Sequence, residues 1–249
     1  MAPQGGLLGR RKRRTVSLDE LGADPAGGIG ILDEDGTVLH MTPSVVAKSL
    51  RYLLARVDLH EGGLPHRVAL SSALKKEGVT YVTRSLAAVL AYDTDRSVVV
   101  VDMNWTEPSD DPEAEPDPGL AEAVDQDLPV ETVIIRTANP RLCLVPAGNA
   151  PVARRHALAG SVALADKLDE LADQFDHVLL DLPPVLASSE AMSIAQLADA
   201  FVLVVLQGVT SEAQVHAALD EMRGCEILGV VLNRFHSRIP KRIRQLIGA

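Results

Sequence analysis

Residues Arg67 to Leu90 read RVALSSALKKEGVTYVTRSLAAVL. The first six, Arg67 to Ser72, form a strand-like apolar run, and a short polar turn follows. Beyond the turn Val79, Val82, Leu86, Val89 and Leu90 recur at helical spacing. A strand that turns directly into a helix points main-chain N–H groups at an anion placed before the helix, where the helix dipole also favours negative charge. The complete phosphate-binding form, G-x-x-x-x-G-K-S/T, adds a lysine for the outer phosphates and a hydroxyl for Mg²⁺. Gly78 and Thr80 hold the last glycine and the hydroxyl position. Val79 stands where the lysine belongs, and Leu74, Lys75 and Lys76 fill places where glycines or a Pro-Gly pair are expected. The backbone signal survives; the charge that would serve phosphate chemistry does not.

The rest of the chain repeats the strand and helix alternation. Ser97 to Val101 is a continuous apolar run ending in Asp102, and His177 to Leu182 is another, carrying Asp181 and followed by Pro183-Pro184. Runs of this kind are strands covered on both faces, as in a parallel sheet. Val130 to Arg136, Leu142 to Pro146, Phe201 to Leu206 and Ile227 to Leu232 read as further strands or extended segments. Helices are expected over Pro43–Val57, with Thr42 or Ser44 as its cap, over Gly119–Val124, over residues 156–174 and over residues 211–223. The last has Ser211 and Gln214 at capping-box spacing. Alternation of this order implies an α/β domain with a mostly parallel sheet and helices on both faces. Its ligand site lies at the carboxyl ends of the strands. Gly78, Thr80, Asp102, Asp181 and Asn233 all fall there.

Three stretches differ in composition. Residues 1–42 read as a disordered tail with a basic run from Arg10 to Arg14, closing in a short hairpin that turns at Asp35-Gly36. Trp105 to Pro118 carries six acidic residues and four prolines, which predicts an exposed mobile loop. Arg238 to Ile247 reads as a basic amphipathic helix, with Ile239, Ile243, Leu246 and Ile247 on one face. Such a helix packs on a sheet edge or lies on a membrane surface. Residues 43–249 are expected to be one domain. The 47% hydrophobic content suffices for its core, and 3% aromatics mean that Val, Leu, Ile and Ala must fill it. Net charge of −10 argues against nucleic-acid binding by the folded body. No apolar run approaches the roughly 20 residues that span a bilayer, and no secretory signal follows the Arg-rich start. The expected location is cytoplasmic. Cys143 and Cys225 lack metal spacing and read as small buried hydrophobes.

Seven segments in order resemble the cytoplasmic domain of the bacterial tyrosine kinases of capsule and exopolysaccharide export, within the MinD-like branch of P-loop proteins. SSALKKEGVTYVTRSLAAVLA is similar to the family's SSxxPGEGKTxxAxNLAxxLA, and VVVVDMNWTEPS to its apolar run followed by D-x-D-x-R-x-P-S. Gly119-Leu120, LVPAG at Leu144–Gly148, FDHVLLDLPPVLASSEA, VVLQGVTSEAQV and LGVVLNRF complete the series.

The resemblance implies a three-layer P-loop NTPase-like fold with ATP or ADP and Mg²⁺ as cofactors. Lys76, Glu77, Gly78, Val79, Thr80, Tyr81 and Asn233 would border the nucleotide, Asn233 at the base. Thr80, Asp102 and Asp181 would hold the metal, with Asp102 and Asp181 as catalytic carboxylates. Asn104 replaces the second aspartate of D-x-D and Thr106 the arginine. Val45 stands at the glutamate of the family's oligomerisation helix, and the only tyrosines are Tyr52, Tyr81 and Tyr92. The implied function is a tyrosine-kinase-like regulator of polysaccharide assembly with impaired transfer, partnered by a membrane copolymerase or chain-length regulator. It would form a homo-oligomer, with its basic ends on the anionic inner face of the membrane. Two alternatives stand beside it: an active tyrosine kinase, with Lys75 or Lys76 reaching back into the site, and a MinD/ParA-like scaffold ATPase. Asp181 also has an ordinary reading, as a strand-end aspartate capping the next turn.

Overall fold

Val98, Val100, Val99 and Val101 alternate between two cores, and that alternation defines the architecture. The computed structural model describes residues 28–61, 63–105 and 118–234. The main sheet has seven strands: β3 (Arg67–Ser72), β4 (Val98–Asp102), β5 (Ile135–Arg136), β6 (Leu142–Val145), β7 (His177–Asp181), β8 (Ala200–Leu206) and β9 (Ile227–Asn233). Their order is β5-β6-β4-β7-β3-β8-β9. Only β5 runs antiparallel to its neighbour; every other pairing is parallel. Strand residues point alternately to opposite faces, so a sheet covered twice reads as an unbroken apolar run.

One face is covered by α1 (Ser44–Glu61) and α2 (Val79–Asp93), the other by α3 (Leu120–Asp125), α4 (Val152–Ala159), α5 (Val162–Ala172), α6 (Glu190–Ala195) and α7 (Glu212–Glu221). The three-layer expectation holds. A separate hairpin, β1 (Ile29–Leu32) and β2 (Val38–Thr42), has Gly36 at φ 82° in its turn. Ile29 and Ile31 are buried with α2, so the core reaches back to Ile29 and the hairpin is not an appendage of a tail.

Several sequence expectations need correction. The single helix over 156–174 is two helices, because Gly160 ends one and the Ser161 hydroxyl caps the next, accepting from the Leu164 amide at 3.1 Å. The six residues of α6 had no periodic signal long enough to find. The run from Val130 is a 3₁₀ turn over Val130–Thr132 before the two-residue β5. α1 begins at Ser44, and the buried Thr42 hydroxyl has no hydrogen-bond partner among the described residues, so it is not the cap. Trp105 does not belong to an exposed loop. It is 5% exposed, and its indole N–H donates to the Ala147 carbonyl at 3.0 Å. Residues 106–117, the basic N-terminal run and the C-terminal helix lie outside the described residues. The Ser211/Gln214 capping box is present, and both cysteines are free, Cys143 buried and Cys225 half-buried.

Candidate functional site

The turn between β3 and α2 keeps a tight left-handed path. Lys76 has φ 66° and Gly78 has φ 88°. Glycine tolerates such a φ; for a lysine it costs about 1–2 kcal/mol. The turn's sharp geometry thus persists where the sequence reading had the residues that make it replaced.

Buried groups hold the turn from behind. Glu77 is 1% exposed, and its carboxylate faces inward, accepting from the Leu74 amide at 2.9 Å and from the Thr210 hydroxyl. The Asn233 side-chain amide donates to the Glu77 carbonyl at 2.8 Å. The Ser72 hydroxyl donates to the Leu74 carbonyl at 2.7 Å. In front of the turn lies a cleft of about 420 Å³ bordered by Lys76, Gly78, Val79, Thr80, Tyr81, Arg84, Asn104 and Asp181. A larger apolar groove of about 640 Å³ lies elsewhere, between α1, α2 and β9, and holds no such polar groups at strand ends.

Asp102 and Asp181 are direct register partners at the carboxyl ends of adjacent strands β4 and β7. That puts their backbones roughly 5 Å apart. The Met103 amide donates to the Asp181 carbonyl at 3.0 Å, and the Asp102 carboxylate accepts from the Asn104 amide at 2.9 Å. Thr80, on the first turn of α2, borders the same cleft as Asp181. Among the described residues no group of three or more His, Cys, Asp or Glu side chains could hold a metal. Two carboxylates and a hydroxyl nevertheless suit Mg²⁺, which is usually held by one or two carboxylates together with substrate phosphates. The donor set therefore fits the metal, while the lysine position does not fit the phosphate: Val79 is 9% exposed and packs in the α2-side core.

Glu77 borders the cleft as well, with its carboxylate turned to the Leu74 amide and the Thr210 hydroxyl, while Asn233 lies behind the turn and donates to the Glu77 carbonyl. Two cleft residues were missed. His40 comes from β2, and its Nε2 lies 2.9 Å from the Ser85 hydroxyl, with its ring edge-on to Tyr81 at 5.1 Å. Burial, helped by the Arg84 charge, lowers its pKa to about 4, so it is neutral near pH 7. Burial also raises the Tyr81 hydroxyl, against a hydrogen bond to Ser85. Arg84 is the other. It sits four residues beyond Thr80, a spacing that puts both on one helix face.

A family model described as cellulose biosynthesis protein BcsQ matches residues 68–245. The chain belongs to the BcsQ family. Relatives of this BcsQ-family chain include tyrosine-protein kinase ptk of Acinetobacter johnsonii, 26% identical over 170 residues that cover 67% of this chain and 23% of the relative. The succinoglycan biosynthesis transport protein ExoP of Rhizobium meliloti is 29% identical over 198 residues, covering 77% of this chain and 25% of the relative. The chain thus spans about a quarter of the length of these relatives. Among solved structures, the kinase domain of Escherichia coli tyrosine kinase ETK superposes with a TM-score of 0.66 at 22% identity, over 78% of this chain and 79% of that one. At that identity the likeness speaks for the P-loop fold. No helix among the described residues is long and apolar enough to cross a membrane.

Proposed function

We propose that this BcsQ-family chain regulates exopolysaccharide biosynthesis as a tyrosine-kinase-like domain that keeps a nucleotide cleft and has lost efficient phosphoryl transfer. The observation that carries the reading is the turn itself, a left-handed phosphate-loop path whose lysine position holds a buried valine. The turn's main-chain N–H groups and the start of α2 would face the phosphates. Thr80, Asp102 and Asp181 would hold Mg²⁺, which when bound neutralises charge on the phosphate oxygens. Val79 supplies no charge, and losing one preorganised donor of this kind typically costs on the order of 10²–10³ in rate. Asn104 borders the cleft where a carboxylate would be wanted, and an amide accepts no proton near neutral pH.

The relatives' names support the setting: one is a tyrosine-protein kinase and one a polysaccharide transport protein. The proposed partner is a membrane polysaccharide copolymerase or chain-length regulator at the inner membrane face. The proposed assembly is a homo-oligomer whose basic ends touch anionic lipid. An active tyrosine kinase is the second reading, favoured by the side-by-side placement of Asp102 and Asp181. Calorimetric titration with ATP and Mg²⁺, with ADP release and phosphotyrosine measured in parallel, separates the readings. Binding without appreciable turnover supports the first. Turnover on the order of 1 s⁻¹, the lower end for kinases, abolished by Asp181→Ala, selects the second. Absence of binding overturns both.

A further inference from the structure

We infer that Arg84 is the cation that holds the outer phosphates of a nucleotide in this cleft, in the place left open by Val79. The inference rests on the nucleotide-cleft reading and concerns how that cleft neutralises its ligand.

Arg84 lies one turn along α2 from Thr80 and borders the same cleft as Thr80, Asn104 and Asp181. Helical side chains lean back toward the helix N-terminus, over the preceding turn. A long side chain at 84 therefore covers the stretch of surface around residue 80, where the phosphates of such a site gather. Arg51, Arg67, Arg96, Arg141, Arg154 and Arg223 each pair with a carboxylate. Arg84 makes no hydrogen bond or ion pair among the described residues, although it is half-buried. A half-buried guanidinium without a carboxylate is matched by an anion that arrives from outside. Its planar fork binds phosphate oxygens in pairs, which a lysine does not.

The surroundings suit this role. His40, its nearest titratable neighbour on β2, is neutral near pH 7 and adds no competing positive charge. Asp181 on β7 and Lys76 and Glu77 on the turn are the other acidic and basic residues that border the same cleft, and both Glu77 carboxylate oxygens are engaged by Leu74 and Thr210. Lys76 is a weaker candidate, because it is exposed on the turn and its stem is free to move in water. Asp181 and Arg84 on one cleft form the pairing of opposite charges that a metal-bound polyphosphate requires: carboxylate for the metal, guanidinium for the phosphate.

The test is titration of the full chain with ATP in the presence of Mg²⁺, comparing wild type with Arg84→Gln, Arg84→Lys and Lys76→Gln. Thermal melts without nucleotide check that each variant is folded. Arg84→Gln is expected to weaken binding roughly 10- to 100-fold, the loss of a charge-assisted hydrogen bond. Arg84→Lys should lose less than Arg84→Gln, and Lys76→Gln less than about threefold. An affinity for Arg84→Gln within twofold of wild type overturns the inference and leaves the nucleotide cleft standing. A wild type that takes up no nucleotide overturns both together.

Discussion

The side-chain amide of Asn233, at the end of β9, donates to the main-chain carbonyl of Glu77 at 2.8 Å. It does so across Gly78: a Cβ built there would lie 2.3 Å from the Asn233 nitrogen. The last strand thus clamps the turn, and the clamp requires residue 78 to have no side chain. Gly78→Ala should destabilise by about 2–3 kcal/mol, combining left-handed strain with a displaced hydrogen bond. Asn233→Ala should cost about 1 kcal/mol. The double variant should lose clearly less than the sum, because removing Asn233 removes the clash. Urea unfolding of the four proteins measures the cycle, and strict additivity would refute the clamp.

Lys76 carries the opposite lesson, a side chain where none is wanted. Lys76→Gly should stabilise the fold by about 1 kcal/mol, the relief of a left-handed non-glycine less the greater freedom of glycine in the unfolded chain. A lower urea midpoint for Lys76→Gly would mean that lysine contributes something the backbone does not reveal.

His40 makes stability depend on pH. Burial first, and the Arg84 charge second, hold its folded pKa at about 4, below the ordinary 6.5. The unfolded chain therefore takes up the proton first as pH falls. The stability this neutral ring confers is complete above pH 6.5 and is lost as pH drops toward 4. The loss should be on the order of 2–3 kcal/mol. His40→Gln should flatten the dependence across that window. Denaturant midpoints at pH 7 and pH 4.5 measure it, and equal slopes for the two proteins would exclude His40 as the source.

Val79→Lys is expected to raise affinity for ATP and Mg²⁺ about tenfold or more, a gain in keeping with one charge-assisted hydrogen bond. ADP release should also rise, by up to about 10²–10³. The variant should lose about 1 kcal/mol of stability, because an apolar side chain leaves the α2-side core. Unchanged affinity would show that the position, and not only its residue, has moved away from the ligand.

The parts of this fold legible in the sequence are those where one local pattern has one meaning. SVVVV before Asp102 and HVLL before Asp181 are apolar runs long enough to need cover on both faces, and each ends in an acid. That the two acids are neighbours depends on the strand order β4-β7-β3, which no local pattern encodes. Arg84 was overlooked because α2 was read for its apolar stripe, and a cation between buried positions looks like a solvated one. His40 was overlooked because the hairpin was assigned to the tail, whereas Ile29 and Ile31 anchor it on α2. The Gly160-Ser161 pair was legible, a stop followed by a cap, but the apolar period of Leu158, Val162 and Ala165 ran across it. The clamp made by Asn233 was not legible, because its partner, a backbone carbonyl 156 residues away in sequence, is visible only in three dimensions.

The Glu77 carboxylate has a mechanical consequence. One oxygen grips the Leu74 amide inside the turn and the other grips Thr210, whose own hydroxyl accepts from the Leu206 amide at 3.1 Å. Thr210 immediately precedes Ser211, the cap of α7. A turn that shifts to receive a ligand must therefore either break a buried charge-assisted bond or drag the start of α7 with it. The second is the softer deformation, since α7 buries little beyond Ala218 and Met222. The cleft and the outer surface of α7 are in this sense two ends of one lever, with a single buried carboxylate as its pivot.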